Sequence, residues 1–167
     1  MAKSVKILVA LVLCCSLLTG CSSIFPDDVV DDVMTFDDLT ISLPIYFDNM
    51  TIYDETNPVS GLFVYGYSEI IVTGLRDDKS QFEEIPTLEE YGKKLIENSE
   101  VNAEIEIIDG LVTFTYYQLN NNQSYTYFAS LYEGTDSFWL VTACCQTMNF
   151  KHAKDKFLEI FHSVQVA

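Results

Sequence analysis

The sequence predicts an α+β fold, an antiparallel sheet with helices packed on both faces. Three observations carry that reading. Strand-like and helix-like stretches run in the order strands, helix, four strands, helix, without the strand–helix–strand alternation of a parallel sheet. Turn signals at Asp109-Gly110 and at Asn120-Asn121-Asn122 join consecutive apolar runs as hairpins. The last stretch repeats Phe150, Ala153, Phe157, Ile160, Phe161 and Val164 at helical spacing, a wide stripe able to cover a sheet.

The chain opens with Lys3 and Lys6, then an almost wholly apolar run over residues 7–18, then Thr19, Gly20 and Cys21. This is the layout of a secretory signal over residues 1–20. The apolar run is shorter than the roughly 20 residues that span a bilayer comfortably. LTGC at 18–21 resembles the lipobox of bacterial lipoproteins. That resemblance implies a lipid (diacylglyceryl, palmitate-type chains) on Cys21 and cleavage just before it. The membrane contact would then be the lipid, with the domain outside the cytoplasm in the cell envelope. Ser22 is not aspartate, so the familiar inner-membrane retention signal is missing. The expected address is the outer membrane of a two-membrane cell, or the outer face of a single cell membrane. Cys14 and Cys15 fall in the removed segment.

Removing residues 1–20 takes two of the nine Lys and Arg and none of the 25 Asp and Glu. A chain already at −16 becomes more acidic still. Such a charge excludes nucleic acid, whose binding depends on neutralising phosphates. It also opposes lying flat on an anionic membrane. Residues 21–35, with the pairs Asp27-Asp28 and Asp31-Asp32, are expected to be a lipidated acidic tether. Their spacing lacks the alternating ligands and glycine of an EF-hand loop. A folded domain is expected over residues 36–167, long enough to bury about 68% of its unfolded surface.

Within the domain, LTISLPIYF from Leu39 reads as one or two short strands, with Pro44 at an edge or bulge. NPVSG at 57–61 is a turn, and residues 62–76 are a β-branched stretch that bends or breaks near Gly66. Residues 77–86 read as an acidic loop. Thr87 is a helix N-cap, with Glu90 completing a capping box and Leu88, Tyr91, Leu95 and Ile96 forming the inner stripe. Residues 101–109, LVTFTYYQL, SYTYFASLY and SFWLVTACCQ are four hairpin strands. The last is among the most apolar and is expected at the centre of the sheet.

The order and wording of these elements resemble the Mog1/PsbP-like family over about residues 36–166. The residues that carry it are FDDLTISLPIYF, the helix TLEEYGKKLIE, the Asp109-Gly110 hairpin, YTYFASLYEGTDSFWLVTACC and the closing KHAKDKFLEIFHSVQV. The resemblance implies an antiparallel sheet with helices on both faces. It also implies a binding or assembly role: better-known relatives serve the oxygen-evolving apparatus of photosynthesis or partner a small GTPase. A cytosolic GTPase partner is inconsistent with the secretion signal.

No catalytic motif, cofactor box, phosphate loop or metal-ligand spacing stands out, and no catalytic, cofactor or metal residue is assigned. Cys144 and Cys145 are adjacent, so a strand places them on opposite faces. His152 and His162 are too far apart on one helix to share a site. Glu104, Glu106 and Asp109 fall on or beside one strand face. They would serve an envelope enzyme acting on glycan or lipid only if they flanked a cleft. The hairpin strands are rich in tyrosine, and Tyr117, Tyr125 and Tyr127 are candidates for an exposed partner-binding groove. Two function classes follow. One is a lipid-anchored, noncatalytic binding or assembly module whose acidic field favours a basic protein partner. The alternative is the envelope enzyme.

Overall fold

The computed structural model describes Phe25 and residues 30–51 and 62–167. Cys21 and the turn at 57–61 lie outside the described residues. The frame is a seven-stranded antiparallel sheet of β3 (Asp48–Asn49), β4 (Phe63–Tyr67), β5 (Ile70–Asp78), β6 (Ile105–Ile108), β7 (Leu111–Asn120), β8 (Gln123–Glu133) and β9 (Ser137–Gln146). Their spatial order is β3-β4-β5-β9-β8-β7-β6, so the apolar β9 holds the centre as its composition predicts. A second, three-stranded sheet is built from β1 (Asp31–Phe36), β2 (Leu39–Pro44) and β10 (Gln165–Val166), in the order β1-β2-β10. Among the described residues there are two α-helices, α1 (Leu88–Ser99) and α2 (Phe150–His162).

Pleating divides the large sheet into two cores. Trp139, Val141, Ala143 and Cys145 of β9 point to one face, where they meet Ala153, Phe157, Ile160 and Phe161 of α2 and Leu39, Ile41 and Leu43 of β2. Phe138 and Cys144 point to the other, against Tyr91 of α1 and the β7–β8 residues Phe114, Tyr116, Tyr125, Tyr127, Ala129 and Leu131. One helix therefore lies on each face, and the small sheet shares the α2 face.

Local chemistry sets the element ends. Thr87 Oγ1 accepts from the Glu90 amide while the Glu90 carboxylate accepts from the Thr87 amide at 2.8 Å, closing the capping box. Both residues of each two-residue hairpin turn have positive φ: Asp109 and Gly110 (50° and 85°), Asn121 and Asn122 (49° and 63°). These are the angles of type I′ turns, which Gly and Asn tolerate best.

Three boundaries depart from expectation. Residues 31–35 belong to β1 rather than to the tether. Met34 and Phe36 turn inward there, and Phe36 stacks on Phe63 with ring centroids 4.1 Å apart. Phe25 also rests edge-on against Phe157. The strand β5 continues to Asp78, because Asp77 and Asp78 pair with Phe138 and Ser137. Val164 lies beyond α2: the helix stops at His162, and the chain turns to place Gln165 and Val166 beside β2.

The two sheets are clasped at one end by Asp38, in the β1–β2 turn. Its carboxylate accepts from the Trp139 indole N–H at 2.7 Å and from the Ser137 hydroxyl. Trp139 and Ser137 are fully buried. Arg76 lies alongside, its Nε 3.0 Å from Asp37 and 3.5 Å from Asp38, as ion pairs without aligned hydrogen bonds. Burial pushes the Asp38 carboxyl up, but the Ser137 and Trp139 hydrogen bonds and the Arg76 charge outweigh it and hold it below the usual carboxylate range. A depressed folded value means stability that is complete above about pH 4 and drains away as pH falls through that value. Asp38→Ala is expected to cost about 1–3 kcal/mol at neutral pH, because two buried donors lose their acceptor. Asp38→Asn should flatten the loss of stability between neutral pH and about pH 3 relative to the parent. Urea unfolding at the two pH values checks both.

A candidate docking surface at the tip of the β7–β8 hairpin

The strands β7 and β8 outreach the helices that cover them. The 13 residues of α2 span about 20 Å at 1.5 Å each. The 10 residues of β7 and 11 of β8 each span more than 30 Å at about 3.3 Å per residue. Near the α2 N-terminus, Phe150 meets Phe128 edge to face at 5.8 Å, and Lys154 Nζ sits 5.7 Å over the same ring. Beyond Phe128 on this face come Thr126 and Ser124 of β8, paired with Tyr117 and Leu119 of β7.

Tyr117 is 62% exposed, Leu119 74% and Met148, in the single turn between β9 and α2, 79%. Thr147 ties that turn to β8, its hydroxyl 2.9 Å from Ser124 Oγ and 3.1 Å from Thr126 Oγ1. Tyr117 and Leu119 form an exposed apolar pair beside a seam of hydroxyls, and the turn that carries the exposed Met148 is tied to the same seam. The surface continues into the exposed turn residues Asn121, Asn122 and Gln123.

The strand and turn stretches that build this surface carry no charge of their own. No Asp, Glu, Lys, Arg or His occurs from Gly110 to Tyr132 or from Ser137 to Phe150, in a chain with 25 acidic residues. An aromatic and a methionine exposed together without charge match the composition of interface cores.

The three candidate tyrosines do not form one groove. Tyr125 and Tyr127 are 5% and 1% exposed, in the core beneath α1. Tyr127 stacks on Tyr116 at 4.7 Å, and the Tyr125 hydroxyl donates to Gln123 at 3.1 Å. The cause is the register. Tyr117 pairs with Thr126, which puts Tyr117 and Thr126 on the α2 face and the residues flanking Thr126, Tyr125 and Tyr127, on the other. Leu119 and Met148 are the partners that sequence reading missed. Leu119 was visible as the i+2 neighbour of Tyr117, whereas Met148 is brought in by the fold.

The remaining chemical candidates are placed as follows. Glu104, Glu106 and Asp109 are all exposed, on or beside the edge strand β6. Cys144 and Cys145 are both buried, in opposite cores. Burial, with the Glu69 charge, pushes the Cys145 thiol up to about 12, so it stays protonated and unreactive near neutral pH. His152 and His162 are exposed on α2. Among the described residues no group of three or more His, Cys, Asp or Glu is arranged to hold a metal ion. No described helix is long and apolar enough to cross a membrane.

Opposite placement gives opposite sensitivities. Tyr117→Ser should change stability by no more than about 0.5 kcal/mol, as at an ordinary surface position. Tyr127→Ala should cost about 3–5 kcal/mol, as for a large buried aromatic. Denaturant midpoints of the two variants decide it.

No family model and no curated protein matches the chain. Solved structures do. The cyanobacterial PsbP (CyanoP) of Synechocystis sp. PCC 6803 superposes with a TM-score of 0.54 at 14% identity, over 90% of this chain and 99% of that one. The Ran-binding protein Mog1p of Saccharomyces cerevisiae superposes with a TM-score of 0.54 at 10% identity, over 83% of this chain and 96% of that one. At these identities the likeness is one of fold: the chain has a Mog1/PsbP-like fold, with antiparallel sheets and two helices.

Proposed function

We propose that this protein is a noncatalytic, lipid-anchored binding or assembly module outside the cytoplasm. Lipid on Cys21 holds it to the envelope membrane, and the uncharged β7–β8 tip around Tyr117 docks a protein partner. The observation that supports the docking surface is the exposure of Tyr117, Leu119 and Met148 on stretches that carry no charge. A solvated apolar ridge gains about 25 cal/mol per Å² when a partner covers it. The anchor rests on the LTGC motif and the basic, apolar leader before it.

The partner's charge follows from the rest of the molecule. A field set by −16 net charges draws basic segments toward the domain and repels acidic ones. The tip itself supplies contact, and the surrounding field supplies steering. Fold likeness to a protein named as Ran-binding agrees with a binding role but carries no partner over to this chain.

A photo-crosslinking amino acid at Met148 of the full-length protein, in its native membranes, tests the reading. A discrete protein adduct is expected, weakened when salt is raised about tenfold, because screening shortens the reach of the acidic field. The same label at Ile85, exposed and distant in sequence, should give no such adduct. Cys21→Ala should move the protein from the membrane to the soluble fraction. Equal labelling from both positions would overturn the docking surface, and a membrane-bound Cys21→Ala protein would overturn the anchor.

A further inference from the structure

The sheet edge beside the ridge is open. On the side away from β8, β6 pairs only with the first part of β7, from Ile108 opposite Leu111 to Ile105 opposite Phe114. The distal part of β7, residues 115–120, continues without it. In an antiparallel ladder alternate residues turn their N–H and C=O to alternate sides. Both flanking turns set the same parity. The two-residue turn at 109–110 makes Ile108 and Leu111 a bonded pair, and that at 121–122 makes Asn120 and Gln123 one. The backbone groups of Thr115, Tyr117 and Leu119 therefore face away from β8, past the end of β6. Among the described residues no strand pairs with β7 beyond Phe114 on this side.

We infer that this open edge, Thr115 to Leu119, takes up an extended, basic-flanked segment of the partner protein as an added β-strand. The inference rests on the docking reading above and specifies its mode. Three observations carry it. Free edge groups at every second residue are satisfied by another strand, and a helix has no spare donors to offer them. Tyr117 and Leu119 stand on one face at a spacing of two, so they contact apolar residues at alternate positions of the added strand. The stretch from Gly110 to Tyr132 also carries none of the charges or prolines that ordinarily guard an exposed edge. Charge selects the occupant. A second copy would bring another −16 charges to the contact, whereas a basic segment is drawn in.

The Leu119 N–H faces the open side, so proline at this position removes an edge donor and no bond to β8. In the native-membrane crosslinking from Met148, Leu119→Pro is expected to reduce the adduct about fivefold, the equivalent of one lost hydrogen bond. Leu119→Val, which keeps the donor, should retain it. If Leu119→Pro fails to fold, replacing Leu119 by its α-hydroxy acid deletes the same N–H alone and should give the same loss. An adduct that survives the loss of this N–H overturns strand addition and leaves the docking surface standing. Equal loss in Leu119→Val assigns the effect to the side chain and also overturns strand addition. An adduct at the mass of two copies overturns the choice of occupant, and no adduct from the unmodified chain overturns the docking reading itself.

Discussion

A central strand buried on both faces obliges a chain to supply two cores, and β9 imposes that demand here. From Phe138 to Cys145 successive residues enter one core or the other, with none left for solvent except the partly covered Leu140. Every large element follows from this. One helix, α1, answers the Phe138–Cys144 face, and α2 with β2 answers the Trp139–Cys145 face. Even the adjacent cysteines are explained, since each is a small apolar filler of its own core. Asp38 then fixes how the small sheet meets the large one, by holding the indole of the same strand's Trp139.

Covering a long sheet with short helices leaves a remainder, and part of it lies at the β7–β8 tip. The helix α1 packs against Leu131 of β8 and Ile105 of β6, while β7 and β8 run on to the turn at 121–122. Solubility elsewhere is secured by acidic side chains, three of which hold cations: Glu133 with Lys79 at 2.8 Å, Asp37 with Arg76, Glu159 with Lys156 at 3.0 Å. The tip keeps its exposed apolar residues without that protection. In an acidic molecule an uncharged surface is the cheapest one for a partner to desolvate, because no carboxylate must be stripped of water.

Much of the fold was legible in the sequence. The capping box at Thr87 and Glu90, the Asp109-Gly110 turn and the apolar run of β9 each depend on neighbouring residues, and each is realised in the structure. What could not be read depends on contacts between distant segments. The strand β1 looks like acidic tether because only Met34 and Phe36 of its residues turn inward, and its partner β2 determines that it is a strand. The strand β10 is two residues long and exists through Thr40 and Leu39. The tyrosine-lined groove failed for a related reason. Composition locates tyrosines on strands, but a one-residue difference in pleat decides which core receives them, so Tyr117 separates from Tyr125 and Tyr127.

An open, uncharged edge is ordinarily a hazard, since it can template pairing with any exposed strand. Two features limit that hazard here. The open run offers outward backbone groups at only Thr115, Tyr117 and Leu119, because β6 closes the strand up to Phe114. Three sites are too few to hold a strand firmly without matching side chains, since each net hydrogen bond is worth only about 1 kcal/mol. The net charge of −16 also keeps like molecules apart at low salt, which protects the edge against copies of itself while leaving it open to a basic chain. Selectivity in such an arrangement comes from the sum of weak terms: edge hydrogen bonds that require an extended backbone, a ridge that requires apolar residues at alternate positions, and a field that rejects acidic segments. Each term alone is permissive, and a segment must satisfy all three to stay bound.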